Sequence, residues 1–330
     1  MRLGARVTVV DSLVPGCGAN PFNLRSVASD VEIVRADIAE PDKFDRALRG
    51  ADIVFNLAGE LSHLHSRDFP ERDLAINTTA QLSFARACAR RNPGVRVVYA
   101  STRQVYGTPQ FLPVHEEHPI QPIDFNGIHK EAASNYHLLL GRSGDIDPVI
   151  LRLSNVYGPR MALNITCQGF LSVYLRRALL GQPIEVYGHG LQVRDPAHVD
   201  DVVDALLRAG SCSKPAHRIY NVGGSEQLTV EAIARIVSSL ASTSAVVYRA
   251  FPESRKQIEI GSYYGDTSRI EADFGWRAKT FFRGGMAETL EFYRSQPSDY
   301  LELIRRSRQC SWCDVRSEPR IERFAVAAGS

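Results

Sequence analysis

The chain has no apolar run approaching the ~18 residues needed to span a bilayer as a helix, which excludes a helical membrane protein. Its opening, MRLGARVTVV, has too short an apolar stretch for a secretory signal and runs straight into Asp11. Cysteine is sparse: the six residues at 17, 88, 167, 212, 310 and 313 are too few to staple 330 residues together. Excess charge is missing too. Thirty-nine Lys and Arg against 37 Asp and Glu leave a net +2, so no broad field draws the chain to nucleic acid or to an anionic membrane. Only five of the cations are lysines, which makes a lysine inside a motif more telling than usual. What is present, 44% apolar and 23% charged residues, is the composition of a globular protein with room for two domains. The chain reads as a cytoplasmic, enzyme-sized protein.

Runs rich in Val and Ile at 5–11, 31–37, 52–58, 95–101 and 148–154 are continuous rather than alternating, as strands covered on both faces require. Between them, 41–49, 73–91 and 125–141 carry apolar residues at helical spacing. The alternation predicts an α/β fold with a doubly wound parallel sheet. The second half is more mixed, with helices expected over 168–180, 199–209, 230–240 and 286–294 and short strands over 184–187 and 218–222. We expect a dinucleotide-binding domain from 1–157 plus 196–224 and a smaller mixed α/β substrate domain from 158–195 plus 225–304. Residues 305–330 lose periodicity and read as a tail.

Asp11 ends a Val-rich strand. In dinucleotide-binding folds an acidic residue there accepts hydrogen bonds from the adenosine ribose, about 20 residues after the start of a glycine-rich phosphate loop. Counting back from Asp11 puts that loop before Met1, so the first strand of a Rossmann-like sheet and its pyrophosphate donors are expected to be missing. The expectation is a displaced coding start or a chain that binds cofactor poorly. The alternative for Asp11 is a solvated strand-end carboxylate. Gly16-Cys17-Gly18 reads as a turn rather than a phosphate cradle.

Asp11, Asp37 after VRA, NLAGE at 56–60, STRQVYG at 101–107, LRLSNVYGPR at 151–160 and VRDPAHVDD at 193–201 stand in the order seen in extended short-chain dehydrogenases/reductases. The chain resembles the nucleotide-sugar epimerase/dehydratase group over about residues 5–295. The resemblance implies NAD as cofactor, a nucleotide-sugar substrate, no metal, and a homodimer paired through two helices. It puts Asp37 near the adenine, lines the cofactor with Leu57, Ala58 and Gly59, and gives Asn155 and Arg194 to the substrate diphosphate. A guanidinium fork suits a phosphate; the bland alternative for Arg194 is a salt bridge to Asp195 or Asp200. Lys256 and Glu259 occupy the place of the family's Arg-x-x-Asp, which grips phosphate and nucleotide ribose.

The family works with a Ser/Thr, a Tyr and a Lys, the last two spaced Tyr-x-x-x-Lys. Here Thr102 and Lys130 occupy two of these places, and Asn126 stands where the Tyr belongs. Positions 126 and 130 share a helix face, but a carboxamide only donates and accepts hydrogen bonds. Asn126 therefore orients a substrate hydroxyl at most, and the proton shuttle passes to Thr102 through water, to His129, or to Glu60. At i+3 from Asn126, His129 is expected to point away, which weighs against it as the shuttle. Relatives that dehydrate at C5–C6 place Asp-Glu directly after the Thr, and decarboxylases keep the Glu. Arg103-Gln104 weakens both readings and favours inversion at C4 through a 4-keto sugar. Dehydratase, decarboxylase and ketoreductase chemistry of a deoxysugar or antibiotic pathway remain alternatives, as does a cofactor-poor nucleotide-sugar-binding protein. Arg103 has a reading of its own, contact with a carboxylate or a phosphate, and a uronic-acid nucleotide is compatible with it.

His63 and His65 fall where the family's loop reaches the substrate, with a polar loop as the bland reading. Tyr106 reads as a packing residue, Glu116, Glu117 and His118 as a solvated loop, and Cys310-Ser-Trp-Cys313 as a random pair in the tail.

Overall fold

The computed structural model describes residues 4–14, 18–165, 169–242, 245–252, 256–296 and 300. Cys17 and Cys167, the expected tail and its Cys310/Cys313 pair lie outside these residues. The first half of the chain runs β1 Thr8–Asp11, β2 Glu32–Arg35, a 3-10 turn Pro41–Phe44 into α1 Asp45–Arg49, and β3 Ile53–Asn56. It continues with α2 His63–Asp68, α3 Pro70–Leu74, α4 Ala80–Arg91, β4 Arg96–Thr102, α5 Phe125–Arg142 and β5 Asp147–Leu153. After β6 Val156–Tyr157 come α6 Phe170–Leu179, β7 Ile184–Tyr187, β8 Val193–Arg194 and β9 Ala197–His198. These are followed by α7 Val199–Ser211, β10 Ile219–Val222, β11 Leu228–Thr229, α8 Val230–Ala241, β12 Val246–Arg249 and helices at Ser268–Phe274 and Phe282–Ser295.

The main sheet is parallel, in the order β10-β5-β4-β3. Its centre is dry: Val97, Val98, Tyr99, Val149, Ile150 and Leu151 are fully buried, which is why these strands carry unbroken apolar runs. β1 and β2 pair in parallel as a separate two-stranded sheet. Among the described residues no ladder joins β1 to β3. That interruption falls where the doubly wound order puts the central strand. Near it, Val10, Ile53 and Phe55 remain more than a third exposed.

The expected single helix over 73–91 is interrupted. α3 leads into a π-helical turn, Ala75–Thr79, before α4. A π-turn shifts the face that a helix presents, and here it points Asn77 inward, fully buried. Helical periodicity alone gives no sign of this. The helices Ser268–Phe274 and α2 also escaped the sequence reading; both are shorter than two full turns and carry little periodicity. Away from the main sheet, α6, α8 and the helix Phe282–Ser295 close around Leu175, Ile184, Val186, Ile233, Val237, Met286 and Tyr293, with β7 and β12 paired in parallel beside them.

α5 carries the predicted positions 126 and 130. Asp124 caps it, its Oδ1 accepting from the Gly127 amide at 2.6 Å. Further along, His137 stacks on Tyr99 at 4.8 Å with an 8° interplanar angle, and its Nδ1 donates to the Ala133 carbonyl at 2.8 Å. Burial pushes His137 down to about 4, so the unfolded chain binds a proton there before the folded one does. Stability from this residue is complete above about pH 6.5 and is lost as pH falls towards 4. By pH 5 the loss is about 2 kcal/mol. Thermal unfolding followed from pH 7.5 to 5 is therefore expected to show a flatter decline in His137→Phe than in the native chain. Parallel declines would remove His137 as the cause.

Candidate active site

Parallel sheets collect ligands at the carboxyl ends of their strands, and Asp11, Asp37, the loop after β3 and Thr102 lie there. Asp11 ends β1, exposed, with Oδ1 accepting from the Leu13 amide at 2.7 Å. Asp37 follows β2 and takes the Ala39 amide in the same way at 2.8 Å. Leu57 and Ala58, both exposed, and Gly59 follow β3. A Cβ on Gly59 would stand 2.7 Å from Asn77 Oδ1 and 3.0 Å from Lys130 Nζ. Glycine keeps open the space beside the lysine, and any side chain would fill it.

Lys130 is 5% exposed and makes no ion pair among the described residues. Its Nζ donates to the Ala100 carbonyl at 3.4 Å and lies 5.6 Å from the centre of the Tyr99 ring. Burial pushes it down to about 8, against the attraction of Asp73 and Glu60. Thr102 closes β4 two residues beyond Ala100, on the same face of the strand. Its Oγ1 accepts from the Gln104 amide at 3.2 Å. The structure thus brings Thr102 and Lys130 to one end of one strand.

Asn126 sits one turn before Lys130, almost completely buried, and is not available as the sequence suggests. Its Nδ2 donates to the Glu60 carbonyl and to Asp73 Oδ2, each at 3.0 Å. Both amide hydrogens are spent on protein. Asp73, also 1% exposed, collects three donors: Asn126 Nδ2, Asn77 Nδ2 at 3.0 Å and the His129 ring at 2.7 Å. His129 is therefore turned inward to this carboxylate. Asn77 ties the group to the NLAGE loop, donating to the Glu60 carbonyl and accepting from the Glu60 amide, each at 3.1 Å. The Glu60 side chain turns back on the Leu61 amide. Asp73 and Asn77 were missed at the sequence level because one reads as a helix start and the other as a polar residue on a helix.

A second carboxylate, Asp124, is linked to Thr102 through Gln104. Gln104 Nε2 donates to its Oδ2 at 3.0 Å, and His63 Nδ1 lies 3.2 Å from the same oxygen but off the line of a hydrogen bond. Burial works against its charge, yet His63, the Gly127 amide and Gln104 prevail and hold the carboxyl below its usual range.

At the other end of the site Arg194 pairs with neither Asp195 nor Asp200. Its Nη2 donates to Glu259 Oε1 and its Nη1 to the Val193 carbonyl, both at 2.8 Å. Asp195 bonds instead to the Ser154 hydroxyl and the Gly265 amide, and burial pushes it up to about 6. Lys256 is exposed and Glu259 half-buried. Asn155 Oδ1 accepts from Arg103 Nη2 at 3.3 Å. Two bland readings need correction: Glu116 and His118 are buried, Glu116 Oε1 accepting from the Asn221 amide and His118 Nδ1 donating to the Pro119 carbonyl. Tyr106 packs as expected and also bonds Asn221 and Arg152.

The NAD dependent epimerase/dehydratase family matches residues 1–223. The chain belongs to this family. A UDP-glucose 4-epimerase of Mycolicibacterium smegmatis is 29% identical over 297 residues, 89% of this chain and 92% of its own. A dTDP-glucose 4,6-dehydratase of Actinoplanes is also 29% identical, over 89% of each chain. The structure of a UDP-glucose 4-epimerase from Thermotoga maritima shares the fold, with a TM-score of 0.80 and 24% identity over 89% of this chain and 93% of that one. NAD is the family's cofactor, and the residues fit it in part. Asp11 and Asp37 suit the adenosine ribose and adenine, and the surface of Leu57 and Ala58, the opening at Gly59 and Lys130 suit the nicotinamide ribose. Among the described residues no glycine-rich strand–helix turn precedes β1 to take the two phosphates.

Proposed function

We propose that this member of the epimerase/dehydratase family inverts C4 of a nucleotide hexose through a 4-keto sugar. Identity does not separate epimerase from dehydratase, since the two relatives score alike. The observation that carries the choice is the pair after Thr102. Elimination of water needs an acid and a base at that point, and Arg103 and Gln104 stand there, engaged with Asn155 and Asp124. NAD, when bound, supplies the hydride acceptor and donor at C4.

In this reading Thr102 donates its O–H to the C4 oxygen, its Oγ1 already accepting from the Gln104 amide. The proton of the C4 hydroxyl goes to the neutral amine of Lys130 as the carbonyl forms and returns from it when the hydroxyl is restored. Asn126, tied to Asp73 and Glu60, leaves room for that direct transfer and holds the NLAGE loop against α5. Asn155, Lys256 and the Arg194–Glu259 pair hold the nucleotide diphosphate end.

The test is incubation of the chain with NAD and UDP- or dTDP-hexoses in heavy water. Inversion at C4 with no deuterium in the product is expected. A 6-deoxy-4-keto product labelled at C5 would replace this reading by a dehydratase. Intact nucleotide-sugar binding without any turnover would favour a non-catalytic binding protein, the alternative that Asn126 supports.

A further inference from the structure

Arg103 is 8% exposed, and among the described residues no carboxylate forms an ion pair with it. Its Nη1 is buried without a hydrogen-bond partner. Its Nη2 has a neutral acceptor, Asn155 Oδ1, and the guanidinium lies 4.9 Å over the Tyr263 ring. Burial pushes Arg103 down to about 10, and the neighbouring Arg194 adds to that effect. Asp195 and Glu259 attract the guanidinium without forming an ion pair with it, so what stays unmatched is the buried Nη1 donor, and a buried donor without an acceptor is costly. Arg194 faces the same region but already has Glu259 and two carbonyls. The site thus holds two guanidinia, one matched within the protein and one left with an open donor.

We propose that Arg103 is the residue that reads a negative charge on the substrate, its Nη1 donating to an oxygen of the ligand. The chemistry is that of an oxyanion, either a phosphate of the nucleoside diphosphate or a carboxylate on the hexose, which would make the substrate a nucleotide hexuronic acid. Arg103 follows Thr102 directly and touches Asn155, so it stands between the C4 end and the diphosphate end of the site. Its planar fork suits either group. The inference rests on the proposed nucleotide-sugar site and assigns the charge that site selects.

The experiment is calorimetric titration of the full chain and of Arg103→Met with UDP, UDP-glucose and UDP-glucuronate, and with the thymidine counterparts. Met keeps the apolar stem while removing the charge and the guanidinium over Tyr263. A loss of about 10–100-fold is expected, the size of one charge-assisted hydrogen bond. An equal loss for all three ligands of a series assigns Arg103 to a phosphate, and a loss confined to the glucuronate assigns it to the carboxylate. Changes below threefold for every ligand the native chain binds would overturn the inference while leaving the site intact. A native chain that binds none of them would overturn the reading of the site, and the inference with it. A second readout is independent of ligand: removing the unmatched donor is expected to leave the melting temperature of the ligand-free protein unchanged or raise it. A variant that melts several degrees lower would show Arg103 to be a structural cation and overturn the assignment.

Discussion

Lys130→Met is expected to lower kcat/KM for C4 inversion by roughly 10²–10⁴-fold, the usual worth of general acid–base catalysis, without lowering stability. The argument begins with where the ammonium sits. Lys130 is buried beside Ala100 and Tyr99, and its value of about 8 follows from burial. Because its folded value lies below the usual lysine range, the unfolded chain holds the proton more tightly. Below about pH 8 the folded state therefore bears the cost of keeping the charge, and stability rises with pH between about 8 and 10.5. Replacing the group with Met relieves that cost, by up to about 3 kcal/mol at pH 7. Activity and stability thus move in opposite directions. The native kcat/KM is expected to rise tenfold per pH unit below about 8 and to level above it, because the neutral amine is the base. Lys130→Arg decides between charge and proton transfer, since a guanidinium keeps the charge and does not release its proton. We expect Arg to be as inactive as Met. An Arg variant retaining a tenth of native activity, or a flat native profile between pH 7 and 9, would end the case for Lys130 as proton carrier.

The sequence showed the frame of this site better than its wiring. β4 and β5 were legible because both faces are buried and the apolar runs are unbroken. Thr102, Lys130 and the loop after β3 were named from the family resemblance, and Thr102 and that loop do stand at strand ends of the parallel sheet. What periodicity could not show was the direction of individual side chains. The π-helical turn at Ala75–Thr79 brings Asn77 to the Glu60 backbone, and α3 delivers Asp73 beneath Asn126 and His129. Asn77 depends on a shift of helical phase that no composition or spacing rule encodes, and Asp73 on the direction of the short helix before that shift. The bland alternative for Arg194, a salt bridge to Asp195 or Asp200, failed for a related reason. Its nearest acidic neighbours in the chain, Asp195 and Asp200, are not its partners, because Asp195 is held by Ser154 and Gly265. The matching carboxylate, Glu259, is 65 residues away.

Asn126→Tyr is expected to gain activity at the expense of stability. A phenol one turn before Lys130 lies under the influence of an ammonium, which lowers its pKa, and it provides a proton carrier that a carboxamide does not. With Tyr present, the lysine no longer needs to be neutral to start the reaction. The rise in kcat/KM with pH should then move below 8 and report the Tyr–Lys pair rather than either residue. The gain should reach roughly 10–10²-fold at pH 7, within the span of general acid–base catalysis. The cost falls on the hydrogen bonds that Asn126 now makes. The Glu60 carbonyl keeps Asn77 as a donor, and Asp73 Oδ1 keeps Asn77 and His129. Asp73 Oδ2 loses Asn126, and a buried acceptor left without its donor costs about 1–3 kcal/mol. Paired measurements of rate and melting temperature separate the two effects. A folded variant that turns over no faster than the native chain would mean that the space around Asn126 is shaped for the lysine's direct transfer and has no place for a phenol.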